Sequence, residues 1–170
     1  MAISEVEELT QEVVGRGGVL AKLYFDMESE REDELQPLMT DLINNRLLKS
    51  PGVVYCVGAI EQPIKSGSTY TTSALVTCLF KDFGALVGIA FNFVPASIEI
   101  LKPERELRLK TTDVQKILLD IAQISITYSE YILKRVLSKE DYEKVIKDIR
   151  KREELGRKAL QGDQENQTRQ

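Results

Sequence analysis

Histidine is absent from the 170 residues, and cysteine occurs only at Cys56 and Cys78. Without histidine the commonest general base and the commonest metal ligand are both missing. A Ser-His-Asp or Cys-His catalytic arrangement is excluded, as is a histidine-containing zinc site. Two cysteines are too few for a disulfide scaffold or the usual structural zinc site, and they suit a reducing compartment. No apolar run approaches the roughly 20 residues of a membrane span, and the N-terminus lacks the basic-then-apolar pattern of a signal peptide. The expectation is a cytoplasmic protein with no membrane partner, no metal and no cofactor, a binding module rather than an enzyme, the alternative being a histidine-independent enzyme that uses carboxylate, lysine and tyrosine groups.

Charge is unevenly spread. Residues 1–133 hold 12 basic and 19 acidic groups, and residues 134–160 hold 10 basic and 6 acidic groups. Duplex binding rests mainly on neutralising phosphates, so an acidic body disfavours a nucleic-acid partner. Only the C-terminal helix could offer a basic face, and an adaptor working through it is a secondary alternative. The chain is long enough to bury a core without covalent staples.

Along the chain, Ser4 with Glu5, Glu7 and Glu8 opens a short helix that ends in the breaker cluster Gly15-Arg16-Gly17-Gly18. Residues 19–25 form a short apolar run that reads as a buried strand. An acidic loop (26–34) follows, and then a helix over 35–49 with Leu35, Leu38, Met39, Leu42, Ile43 and Leu47 on one side. Pro37 is expected near its start, where a missing N–H costs least. Strands are expected over 53–61 and 70–81, joined by a hairpin loop over 62–69. Asp82 can cap a helix over 83–94, and 97–101 is the last strand. The order βαββαβ predicts an α+β protein with a ferredoxin-like, four-stranded antiparallel sheet and two helices on one face.

Thr112 and Gln115 match a capping box for a helix reaching about residue 137. In it Val114, Ile117, Ile121, Ile124, Tyr128 and Tyr131 keep the 3-4 spacing of a heptad seam. Ser138 can cap a further helix over 139–160. The organisation expected is a ferredoxin-like domain (1–110), a helical extension (111–160) and a disordered tail (161–170).

A sheet covered on one side should alternate apolar and polar residues. Here Ala74, Val76, Cys78 and Phe80 suit the helix-packed face, with Val54, Cys56 and Ile60 assigned to it as well. Yet the other face carries Leu20, Tyr24, Tyr55, Val57, Ala59, Leu75 and Leu79. Such a face predicts cover by the chain's own helices or by a second subunit, and the helix at 83–94 reads as buried all round. Self-association is expected through Ile117, Ile121, Ile124 and Tyr128 or through the sheet.

Lys22, Tyr24, Tyr55 and Glu99 are polar groups on this apolar face and are the candidate ligand-binding residues, for a small-molecule effector. The plainer reading is a buried Lys22–Glu99 pair. The stretch Asp26, Glu28, Glu30, Glu32, Asp33, Glu34 could hold a divalent cation, but it lacks the glycine and spacing of a calcium loop and reads as solvated. The glycine cluster has the GxxG spacing of nucleotide-clamping loops, but a strand follows it, so a hinge is preferred. RNA-recognition motifs share the strand order and need aromatics on the open face of the third strand, where this chain has leucine and threonine.

Phe91-Asn92-Phe93-Val94-Pro95-Ala96-Ser97-Ile98-Glu99-Ile100-Leu101-Lys102-Pro103 resembles the ending of the ferredoxin-like C-terminal extension of WYL-type regulators. Ser50-Pro51-Gly52-Val53 is similar to a junction in ACT domains, which bind small effectors between subunits. The WYL core and a helix-turn-helix are missing. The resemblance implies the fold and a non-catalytic, effector-sensing or oligomerising role. A turn centred on Gly67 places Cys56 directly opposite Cys78, as two buried thiols.

Overall fold

The computed structural model describes the backbone of residues 3–167. The chain divides into two compact units, residues 1–117 and 118–170. The first is an α+β unit with a five-stranded antiparallel sheet. Its elements are α1 (Ile3–Gly15), β1 (Val19–Ser29), α2 (Glu32–Thr40, continued by a π-helical stretch Asp41–Leu47), β2 (Val53–Ile60), β3 (Ile64–Ser66), β4 (Thr69–Phe80), α3 (Phe83–Phe93) and β5 (Ser97–Lys102). The strand order is β2-β4-β1-β5, with short β3 pairing to β4.

Period-two alternation builds the core. Val19, Ala21, Leu23 and Phe25 face Phe80, Cys78, Val76 and Ala74 across the β1–β4 ladder, and all eight are buried. Large residues oppose smaller ones, as Phe25 opposes Ala74 and Phe80 opposes Val19, which suits close packing of the layer. From the helical side Leu35, Met39, Ile43 and Leu47 recur every fourth residue and are buried, with Leu86 and Ile89 of α3. Asp82 caps α3 as its sequence suggests, its side chain accepting from the Ala85 N–H at 2.8 Å.

Several expectations need correction. β1 runs on through Asp26-Met27-Glu28-Ser29, where a loop was expected, because Ser73 to Tyr70 of β4 supply a continuing ladder. The alternation persists there: Met27 packs on the core while Asp26 and Glu28 are exposed. α2 starts at Glu32, three residues early, so Pro37 lies inside it and removes one i→i−4 hydrogen bond. α3 is not buried all round, since Phe91 on its outer side is exposed. Val54 lies at a register shift between Val53 and Tyr55 and is exposed, not on the core face. The hairpin loop carries the extra strand β3. Its turn is the two-residue Gly67-Ser68, with Gly67 at φ 63, a conformation that favours glycine. β3 is therefore one residue out of step with β2 along β4.

Cys56 does stand directly opposite Cys78 in the β2–β4 register, as the turn argument requires. The two are joined in a disulfide rather than left as thiols, and their Cα atoms are 4.2 Å apart. That is closer than the general cross-strand spacing and matches the narrow, non-hydrogen-bonded kind of antiparallel pair.

The unit spanning residues 118–170 is a helical hairpin made from most of α4 (Thr111–Val136) and α5 (Lys139–Gln167). Ser138 caps α5: its Oγ accepts from the Asp141 N–H at 3.2 Å and donates to Asp141 Oδ2 at 2.7 Å. α5 continues through residues 161–167, where a disordered tail was expected. Glutamine and glutamate are good helix formers, and the single Gly162 costs only about 1 kcal/mol. Residues 168–170 lie outside the described residues.

Candidate functional site

The face of the sheet turned away from α2 and α3 can be read row by row from the strand registers. One row is Tyr55–Leu79–Leu20, the next Val57–Thr77–Lys22–Glu99, and the third Ala59–Leu75–Tyr24–Ser97. α1 lies over the first row. Leu79 is fully buried, and Tyr55 Oη is 2.9 Å from Thr10 Oγ1, whose hydroxyl donates to the Val6 carbonyl at 2.6 Å. Gly18, at the turn from α1 into β1, lets this packing close. A Cβ there would lie 2.7 Å from the carbonyl oxygens of Phe80 and Val13. Beyond α1 the face opens: Val57 is 63% and Leu75 49% exposed, and Tyr24 is exposed beside them.

The structure therefore separates the four candidate ligand residues. Lys22 Nζ and Glu99 Oε2 form an ion pair at 3.2 Å between β1 and β5, on a partly exposed surface rather than in a buried pocket. Such a pair is worth at most about 1 kcal/mol. Tyr24 adjoins them in the next row. Tyr55 is turned to Thr10 under α1 and does not share an open site with the other three. Thr10 went unnoticed in the sequence, because only the placement of α1 brings it to Tyr55.

The helical hairpin presents a second surface. Arg150 Nε lies 3.5 Å from Glu130 Oε1 and Ile146 is buried, which fixes the side of α4 that meets α5. At 100° per residue the heptad seam lies on the opposite side of α4 from Glu130. Ile121 and Ile124 are half-buried there, and Tyr128 and Tyr131 are exposed. Leu118 (60% exposed) and Ile132 (56%) widen the stripe on one flank. The sequence reading overlooked both, although a helical wheel puts them beside the seam. Ile117, at the N-terminal end of the same seam, is buried in the first unit, next to Gly84 of α3.

Among the described residues no group of three or more His, Cys, Asp or Glu is placed to hold a metal ion. In the acidic stretch Arg31 bonds Asp33 at 3.0 Å and Glu34 at 2.8 Å. The hydrogen bond and charge of Arg31 hold the Asp33 carboxyl below its usual range, and the same contacts raise Arg31. Gly15-Arg16-Gly17-Gly18 forms the turn between α1 and β1, with Gly17 at φ 100. A surface groove of about 640 Å³ bordered by Val14, Lys102, Pro103 and Arg105 mixes both charges.

Fold and surfaces together define an α+β protein that carries a helical hairpin. Within that class the chain belongs to the MJ0538 family, whose family model matches residues 20–154. The match takes in the sheet, α4 and half of α5. No curated protein and no solved structure is significantly similar to it. Among the described residues no helix is long and apolar enough to cross a membrane.

Proposed function

We propose that this protein is a non-catalytic, self-assembling module built on a ferredoxin-like domain. The antiparallel order β2-β4-β1-β5, with α2 and α3 as crossovers on one face, supports the ferredoxin-like reading. The observation that carries self-assembly is the apolar stripe on α4. Its residues keep the spacing of a helix–helix seam, and on the side away from α5 Tyr128, Tyr131, Leu118 and Ile132 are exposed around half-buried Ile121 and Ile124. Exposed apolar stripes of this length mark interaction surfaces. Light scattering on the full chain at tens of micromolar tests the reading. A dimer or larger mass is expected, and a monomer mass would sink it.

A second reading concerns the open sheet face, where Lys22, Tyr24 and Glu99 border exposed Val57 and Leu75. An apolar platform edged by a few polar groups suits a small-molecule effector. Screening small carboxylate and amine compounds by amide NMR tests it. Shifts should cluster on β1, β4 and β5, and scattered shifts or none would refute it.

A further inference from the structure

Resting on the self-assembly reading, we infer that the partner of α4 is a second copy of α4 running antiparallel, its seam closed by the chain's own charge pattern. In heptad terms Ile121 and Tyr128 occupy one seam position, and Ile124 and Tyr131 the other. Antiparallel pairing about a two-fold axis then layers Ile121 on the partner's Tyr131 and Ile124 on the partner's Tyr128, each twice by symmetry. Those four layers span about 15 Å of helix.

The flanks choose the direction. On one side of the seam lie Asp120 and Lys134, both exposed. Antiparallel pairing sets Asp120 opposite the partner's Lys134, and by symmetry Lys134 opposite the partner's Asp120. On the other flank Leu118 meets the partner's Ile132, and small, exposed Ser125 sits on the axis, where the helices approach closely. Parallel pairing loses all of this. It would stack Tyr128 on its own copy and bring Arg135, which lies over the Tyr131 ring at 4.5 Å, against the partner's Arg135 in a seam layer. Like charges facing in a seam oppose association. Because α5 occupies the far side of α4, the assembly is a row of four helices, α5–α4 against α4–α5.

Charge reversal and cross-linking on the full chain test the arrangement. Lys134→Asp sets two acidic pairs across the interface and should weaken the dimer about tenfold. The swap Asp120→Lys with Lys134→Asp restores opposite signs and should return affinity to that of the natural chain. Ser125→Cys should give a covalent dimer with a short bismaleimide, because the two copies meet at the axis. All three positions are exposed, so far-ultraviolet circular dichroism should not change. A dimer by light scattering that ignores the charge reversal, or that cross-links through Leu75→Cys rather than Ser125→Cys, would overturn the α4 interface while leaving self-assembly intact. A monomer would remove both.

Discussion

Cys56 on β2 and Cys78 on β4 are direct cross-strand partners, bonded to each other on the core face of the sheet with Cα atoms 4.2 Å apart. They tie the two arms of one hairpin, 22 residues apart in sequence, and Cys78 is fully buried. Closing a loop of this size in the unfolded chain restricts it enough to stabilise the native state by about 3 kcal/mol in the chain-entropy view.

The first prediction follows. The doubly substituted Cys56→Ala, Cys78→Ala protein should lose about 3 kcal/mol of stability in urea, with a small further loss from emptied core volume. Adding reductant should destabilise the natural chain and leave the double variant unchanged. A natural chain that takes up two alkyl groups without reductant would show that the thiols are free.

Gly58 sets the second prediction. It lies on β2 opposite Val76, and a Cβ at that position would press on the Leu75 carbonyl oxygen and come within 2.7 Å of Val76 Cα. These are backbone atoms of the central strand and cannot swing aside. Gly58→Ala should therefore destabilise by about 1–3 kcal/mol, because the added methyl forces β2 and β4 apart. Val57→Ala, one residue away on the open face, should change stability by less than about 1 kcal/mol. Equal effects at the two positions would contradict the close approach of β2 to β4.

Particular residues show how much of this was legible in advance. Local pattern found each main strand and the opposition of Cys56 and Cys78, because alternation and a glycine turn act over short range. It missed β1 beyond Phe25, since Asp26 and Glu28 look like loop residues until β4 pairs with them. It missed the register shift beside Val54, which no propensity encodes. At the site, the neighbouring of Lys22 and Glu99 could be read from strand order. The fate of Tyr55 could not, because it depends on where α1 docks. Exposure was also out of reach: the seam spacing on α4 was visible, but which side of the helix α5 would take was not.

The Tyr55–Thr10 bond gives the third prediction. Thr10 is buried and its hydroxyl already donates to the Val6 carbonyl, so it can accept the proton of the Tyr55 hydroxyl. Tyr55→Phe removes one partly buried hydrogen bond and should cost about 1 kcal/mol, with no loss of the fold. Amide exchange in α1 should quicken in the variant, because this bond tethers α1 to β2. Unchanged exchange in α1 would show that apolar packing alone holds the helix.

The last prediction is about pH and concerns Asp33 at the start of α2. Arg31 lowers its carboxyl below the ordinary value, first by the hydrogen bond and then by charge. A group depressed in the folded state stabilises it above the unfolded value, and that contribution disappears as pH falls through the folded one. Both side chains are exposed, so the effect on stability is small and salt weakens it. The clean observable is the titration of the Asp33 carboxyl carbon by NMR, whose midpoint should lie below that of an ordinary aspartate. Arg31→Gln should move it upward, and raised salt should move it part of the way. A midpoint that stays put in Arg31→Gln would show that the Arg31–Asp33 pair does not form in solution.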